Sequence, residues 1–332
     1  MRKYFNYVKL IFWKYKYKYM NSFNSLSGKI NNTSFTKPIY NIDQGVLNNI
    51  SATSKNAMLK TGTTLQSGAY GLLKLNTLYT GATIKINGTD FYAQSTTTYG
   101  TLQTLGNVPL ITFLNGQPAY VTIWYDQTGN GNNATGVNNP TYNTSTNNID
   151  FGATGYFTLP NSAYPSGNSA YSFIFTPLNQ PANTNQVIYT GGDYSEGKYL
   201  QAMIYYNVDV YFSYFNVWYA FNVWTKSSVS NGVIVEDTPA VLNGVNISDT
   251  YNGNNANTRS VYFNGSLVTL SSSDPSKIRN SLTTNNFLGN KNINQTDTAK
   301  FTGSLKYFIW APISLSLPDI NILHKVATNI VS

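Results

Sequence analysis

The chain has no cysteine and one histidine in 332 residues. The first absence excludes disulfides and thiol chemistry and fits folding in a reducing compartment. Together the two exclude the His/Cys ligand sets of zinc and iron sites. Charge is also scarce: Asp, Glu, Lys and Arg make up 10% of the chain, against roughly a quarter in ordinary soluble proteins. Glutamate is confined to Glu196 and Glu236, which leaves little material for paired-carboxylate catalysis. Long apolar runs are missing as well. In the first twenty residues the longest is Leu10-Ile-Phe-Trp13, whereas a membrane-spanning helix needs about 20 apolar residues. A secretory signal needs a longer apolar core followed by small residues. Neither a transmembrane segment nor a signal peptide is therefore expected, and no period of 20–50 residues points to a solenoid or propeller.

What the chain does have is aromatic: 15% of it, including 27 tyrosines. Asn, Thr, Ser and Gly fill its polar positions. Disordered chains combine few aromatics with high net charge, so this composition belongs instead to a β protein with a neutral, hydrogen-bonding surface. The abundance of Asn, Lys, Tyr and Ile is also what an AT-rich coding sequence produces. The net charge of +8 is unevenly placed, since Arg2, Lys3, Lys9, Lys14, Lys16 and Lys18 supply six of it and no acid precedes Asp43. The remaining +2 excludes a basic nucleic-acid groove on the body.

Residues 1–20 interleave those lysines with Tyr, Phe and Trp. They read either as an arm docking on anionic membrane or nucleic acid, or as a loose tail ahead of an effective start at Met20. Residues 21–64 are Asn/Ser/Thr-rich and form a linker or irregular lead-in, with one short helix expected around 54–60. Extended packing against a neighbouring subunit is the other reading of this stretch.

From residue 65 to 332, short alternating segments follow one another without intervening helices. Strands are expected at 83–86, 90–93, 119–125, 149–151, 156–159 and 171–176, the last stopping at Pro177. Further strands are expected at 187–190, 198–206, 209–215, 218–224, 232–235, 286–289 and 301–310, while 70–78 reads as strand or short helix. Asn87-Gly88 and Asn264-Gly265 are hairpin turns. Leu317-Pro-Asp-Ile-Asn-Ile-Leu-His-Lys-Val326 reads as a short terminal helix with Ile320, Leu323 and Val326 on one face. His324, lacking a partner histidine or cysteine, reads as a surface or cap residue. Many short strands at short spacing argue for two packed antiparallel sheets.

One stretch organises the rest. Residues 121–135 begin as an alternating strand and end in Gly129, Gly131 and three asparagines, which is turn chemistry tolerant of positive φ. Between the halves sits Asp126, an acceptor-only carboxylate. Asp126 and Gln127 are expected to hydrogen-bond the backbone N–H groups of the turn that Gly129, Gly131 and Asn132 form, a structural role.

This segment, Tyr125-Asp-Gln-Thr-Gly-Asn-Gly-Asn132, resembles the Tyr-Asp-Gln-Ser-Gly-x-Gly-Asn signature of B-type α-L-arabinofuranosidase catalytic domains. The signature also recurs in laminin-G-like modules of phage and large DNA virus proteins. Ser67-Gly-Ala-Tyr-Gly-Leu-Leu-Lys-Leu75 resembles the family's opening strand. Phe287-Leu-Gly-Asn-Lys-Asn292 and Phe301-Thr-Gly-Ser-Leu-Lys306 resemble its closing pair. The resemblance covers about residues 65–332. It implies an all-β, two-sheet antiparallel β-sandwich of the concanavalin A-like, jelly-roll kind, with a short C-terminal helix and an irregular N-terminal arm. The family's cysteine pair is missing from 115–120, which reads Asn-Gly-Gln-Pro-Ala-Tyr.

A retaining glycosidase needs two carboxylates roughly 5–5.5 Å apart. At the positions the resemblance assigns to nucleophile and acid, this chain has Tyr206 and Lys291, so no catalytic residue is expected. Glu196 with Asp193 in a cleft loop is the alternative source of carboxylates, and a solvated turn is the plainer reading of it. Binding asks for less, namely aromatic platforms and neutral amides. Trp218, Tyr219 and Trp224, with Tyr206, Phe221, Asn216 and Asn222 nearby, form an aromatic-dense region. It reads as a glycan platform, or as sandwich core or subunit interface. Calcium, a ligand of laminin-G-like modules, would draw on Asp126, Asp150, Asp193 and Asp297, which no spacing motif joins; no other cofactor and no metal site are expected. The sequons at Asn87, Asn133 and Asn264 arise by chance in so Asn- and Thr-rich a chain.

The expected function is thus a non-catalytic interaction or structural component, placed by resemblance in a virus particle or on an extracellular surface. Its expected partners are glycan, neighbouring coat proteins or a second copy of itself. The alternative is a glycoside hydrolase of arabinofuranosidase type.

Overall fold

The computed structural model describes residues 45–59, 67–160, 170–179, 186–193, 198–207, 210–218, 244, 246–251, 259–268, 286–290 and 300–327. All of them belong to the compact unit Asn41–Ser332. The basic arm, most of the lead-in, and Tyr219, Phe221, Trp224, Lys291 and Asp297 lie outside the described residues.

Among the described residues the strands, numbered in chain order, form two antiparallel sheets. The eight-stranded sheet runs β16 (Ser266–Val268), β15 (Arg259–Phe263), β14 (Ile247–Tyr251), β10 (Tyr171–Leu178), β18 (Ser304–Ala311), β8 (Asn148–Asp150), β7 (Thr141–Asn143), with β1 (Gly68–Gly71) also on β18. The ten-stranded sheet runs β13 (Val210–Trp218), β12 (Lys198–Asn207), β11 (Gln186–Asp193), β17 (Asn286–Leu288), β9 (Tyr156–Leu159), β6 (Ala134–Val137), β5 (Val121–Trp124), β2 (Ile84–Ile86), β3 (Thr89–Ala93), β4 (Leu102–Gln103). This is the expected β-sandwich.

The core lies between the sheets and is largely aromatic. Tyr189 of the ten-stranded sheet packs 4.7 Å from Phe173 and 5.7 Å from Phe308 of the other, centroid to centroid. Trp124 lies 5.9 Å from Tyr70 and 5.8 Å from Phe157. Rings at these separations gain packing beyond their buried area. β18 is the central element, with Tyr307, Phe308, Ile309 and Trp310 all fully buried. A strand buried on both faces needs a third layer, and the C-terminal segment supplies it.

Among the described residues, four short α-helices accompany the sheets: α1 (Val46–Asn49), α2 (Ala52–Met58), α3 (Leu110–Leu114) and α4 (Leu317–Leu323). Ser316 caps α4, accepting from the Asp319 N–H, and Pro318 stands in its first turn, where no N–H is required. Ile320, Leu323 and Val326 are buried as one face. Asp319 ties this end of the chain to α2. Its carboxylate accepts from the Ser51 N–H at 2.7 Å, Ser51 Oγ at 2.8 Å, Ser54 Oγ at 2.7 Å and Ser316 Oγ at 3.1 Å. Burial alone would raise its pKa, but these four donors outweigh burial and hold it below the usual carboxylate value.

Both expected hairpin turns form, with Asn87-Gly88 and Asn264-Gly265 at positive φ, as a two-residue type I′ turn requires. Three local expectations are corrected. β10 does not stop at Pro177 but runs to Leu178, because a register shift between Phe175 and Pro177 spares the ladder an absent N–H. Residues 70–78 form strand only as far as Gly71, and the rest is irregular chain anchored by side chains.

The third concerns His324, which is the C-cap of α4, one of its two expected roles, but is buried rather than on the surface. Its Nε2 lies 2.5 Å from Ser248 Oγ and its Nδ1 2.7 Å from Tyr307 Oη, which is 2.6 Å from Thr176 Oγ1. Thr176 in turn donates to Asn246 Oδ1 at 2.8 Å. One neutral tautomer satisfies the whole chain of bonds: Ser248 donates to Nε2, Nδ1–H donates to Tyr307, and Tyr307 donates to Thr176. Burial pushes the His324 pKa down to about 3.

Candidate functional site

β5 delivers the motif into the core. Trp124 at its end is fully buried and donates its indole N–H to the Gly71 carbonyl at 3.3 Å. Tyr125 next to it donates to Asp90 at 2.7 Å. Asp126, 1% exposed, then closes the turn. Its Oδ1 accepts from the N–H groups of Ala69 at 3.0 Å and Thr128 at 2.9 Å, and its Oδ2 from Asn132 N–H at 3.2 Å. The Thr128 hydroxyl lies 2.7 Å from both oxygens. Gly129 and Gly131, at φ 85° and 79°, let the chain double back over the carboxylate. Burial raises the Asp126 pKa above its usual 3.8, and the donors pull it partway back.

The asparagines finish the enclosure. Asn132 donates its amide to the Ser67 carbonyl at 2.7 Å, and its own carbonyl accepts from Tyr70 Oη. Asn130 donates to Met58 O at 2.9 Å and to Ser67 Oγ at 2.6 Å. The turn therefore stitches β1 and the end of α2 to β5.

Gln127 acts differently from the expectation that it serves the turn. It is fully buried, and its amide N–H groups go to the carbonyls of Gly71 at 3.0 Å and Leu73 at 2.9 Å, while its Oε1 accepts from Leu75 N–H at 2.8 Å. The cause is an accounting of buried backbone groups. Asp126 already satisfies the turn, whereas past β1 the Leu73 carbonyl and the Leu75 N–H have no other partner among the described residues. Asp126 thus closes the loop, and Gln127 clamps the segment that follows β1.

Of the carboxylates proposed as calcium ligands, Asp126 and Asp150 are already engaged by donors, while the Asp193 side chain and Asp297 lie outside the described residues. Asp126 faces only donors, and Asp150 accepts from Ser304 Oγ at 2.5 Å and Asn143 Nδ2 at 3.0 Å. A calcium site needs several converging oxygen acceptors, and no group of three or more His, Asp or Glu among the described residues could hold a metal.

The aromatic region is described only in its strand backbone. β12 and β13 pair with Tyr199 opposite Trp218 and Tyr206 opposite Tyr211. Strand positions alternate between faces, so Tyr206 and Trp218 fall on opposite faces of the sheet. Ala202 pairs with Tyr189, which packs in the inter-sheet core. Tyr206 shares the parity of Ala202, whereas Trp218 shares a face with Tyr199, Gln201 and Asn216 on the side away from that core.

Five exposed apolar side chains escaped the sequence reading. Leu105, Val108, Ile111, Phe113 and Tyr120 are exposed, Leu105 at 79% and Ile111 at 69%. The available signal was the complete lack of charge between Asp90 and Asp126. No described helix is long and apolar enough to cross a membrane.

No protein-family model matches the chain, and no curated protein does. Solved structures do. A mutant GH54 α-L-arabinofuranosidase soaked with 4-nitrophenyl α-L-arabinofuranoside aligns with TM-score 0.54 at 14% identity, over 79% of this chain and 62% of that one. The match thus spans less than two thirds of that enzyme, and at this identity it shows the sandwich fold alone. Domain 4 of AbnA, a GH43 extracellular arabinanase from Geobacillus stearothermophilus in complex with arabinotriose, aligns with TM-score 0.40 at 15% identity, over 60% and 91% of the two chains. A botulinum neurotoxin type C structure, from work on its dependence on two ganglioside molecules, aligns at 0.43 and 17%, over 62% and 49%.

Proposed function

We propose that this protein is a non-catalytic, lectin-like sandwich that holds glycan without cleaving it. What supports the reading is the β12–β13 register, in which Trp218 pairs with Tyr199 and, two positions along, Asn216 pairs with Gln201. An indole and a phenol beside two neutral amides are what stacking on a sugar face and bonding its hydroxyls require. Tyr219 and Trp224 extend the same platform in this reading. The conspicuous motif carboxylate, Asp126, is sealed among donors and has no opening to a substrate. Tyr206 and Lys291, at the positions the resemblance gives to catalysis, supply no carboxylate pair. The test is a glycan array and titration on the full chain. Binding lost on Trp218→Ala supports the platform, and binding unaffected by Trp218→Ala and Trp224→Ala refutes it.

A second reading, as a particle component that contacts neighbouring coat proteins, is favoured by the exposed apolar side chains Leu105, Ile111 and Phe113. Large exposed apolar side chains are candidates for protein contact. The basic arm of residues 1–20 would then face anionic membrane or nucleic acid. Ile111→Asp abolishing assembly while leaving folding intact is the outcome this reading requires. The arabinofuranosidase alternative requires turnover of chromogenic arabinofuranosides that fails on changing Glu196 or Asp193.

A further inference from the structure

At the edge of the ten-stranded sheet opposite β13, a cleft of about 270 Å³ opens beside β3 and β4. Two tyrosines, Tyr79 and Tyr92, and three amides, Gln94, Gln103 and Asn107, line it. Tyr92 and Gln103 stand opposite each other in the β3–β4 ladder, while Phe91 between them and β2 turns into the core. The amides are partly preset: Gln103 Nε2 donates to Asn107 Oδ1 at 3.1 Å and Gln94 Nε2 to the Tyr92 carbonyl at 3.0 Å. Each of the three keeps a second polar atom free of described partners. Tyr79 donates to the Ala82 carbonyl at 3.0 Å, and burial, aided by the nearby Asp126 charge, pushes its pKa up to about 12, so it stays a neutral phenol.

Among the residues lining the cleft, Lys74 alone is charged. It is half-buried and has no counter-ion among the described residues, where the ion pair joins Lys85 to Asp90 at 3.5 Å. Its backbone is fixed on three sides. Lys74 N–H donates to the Ser95 carbonyl at 2.9 Å, and Gln127 holds the Leu73 carbonyl and the Leu75 N–H on either side. Gln127, itself at the cleft wall, thus connects the central motif to the backbone that carries this cation, which fixes where the side chain springs from.

We infer that this cleft binds a saccharide bearing a carboxylate, with Lys74 pairing the carboxylate, Tyr79 and Tyr92 against the sugar ring, and Gln94, Gln103 and Asn107 on its hydroxyls. A single cation matches a singly charged group, whereas a phosphate monoester brings nearly two charges and calls for a richer set of donors. Tyrosines among neutral amides match a polyhydroxylated ring rather than an apolar ligand. The site is separate from the Trp218 platform and does not rest on it.

The experiment is calorimetric titration of the full chain with glucuronate-terminated and N-acetylneuraminate-terminated trisaccharides beside lactose as the neutral parent. The two acids tell which carboxylated sugar fits. The inference predicts that one of them binds at least tenfold tighter than lactose. Lys74→Gln should remove that advantage with unchanged thermal unfolding, Lys74→Arg should retain most of it, and Trp218→Ala should leave it intact. Equal binding of lactose, no binding of either acid, or an advantage that survives Lys74→Gln would overturn the inference. An advantage lost with Trp218→Ala would also overturn it, by moving the ligand to the platform.

Discussion

Acidification should destabilise this fold through His324 well above the carboxylate range. Enclosed by Ser248 and Tyr307, the ring is held neutral, with its pKa pushed down to about 3 from the ordinary 6.5. Between those two values the unfolded chain takes up a proton that the folded chain refuses. Stability therefore falls as pH drops through this window, by about 1.4 kcal/mol per pH unit. From pH 6.5 to 4 the loss is about 3 kcal/mol, a large share of the 5–15 kcal/mol typical of a whole domain. Other groups titrate nearby, so the contrast is with His324→Gln, which loses bonds at every pH but has no proton to refuse. Urea unfolding of both proteins at half-unit steps from pH 7 to 4 reads the effect. The stability gap between wild type and variant should shrink steadily on acidification. Parallel curves across that range would refute the claim that the ring is buried and neutral.

Two further outcomes follow from the carboxylates. Asp126→Asn must aim an amide N–H at one of the N–H groups of Ala69, Thr128 or Asn132, so urea unfolding should show a loss of about 1–3 kcal/mol per mismatched donor. Asp319→Asn should also destabilise at neutral pH, by about 1–3 kcal/mol for the charge-assisted bonds to Ser51 and Ser54. Because the Asp319 pKa lies below its ordinary 3.8, its contribution is complete above that value and fades as pH falls toward the lower one. The gap between wild type and Asp319→Asn should therefore begin to close only below about pH 3.8.

The fold was legible wherever alternation and turn chemistry coincided. Asn264-Gly265 between two alternating runs specified its hairpin from local sequence, because φ > 0 at both turn positions is a strong constraint. The strands at 134–137 and 247–251 were missed, since Gly136, Asp249 and the threonines blur the period. Pro177 misled because a proline ends a strand only when its missing N–H faces a ladder partner, and a register shift removes that need. His324 was readable as a cap of the terminal helix but not as a buried group. Helix periodicity gives its position, but its hydroxyl partners, Ser248 and Tyr307, come from two other strands. Asp126 was readable as a turn-closing acceptor from the glycines beside it. The reach of Gln127 across to residues 71–75 was not, because it depends on which backbone groups the fold leaves unpaired. Lys74 gave no signal in sequence, since nothing local announces that a lysine lacks a counter-ion.

The central claim, a surface that holds sugar without cutting it, comes down to one paired measurement on the wild-type full chain. Glycan titration and hydrolysis of 4-nitrophenyl α-L-arabinofuranoside are followed in the same preparation. Saturable glycan binding that depends on Trp218, with nitrophenol release no faster than in buffer, is the predicted result. Release above the buffer rate that disappears on changing Asp193 or Glu196 would contradict it.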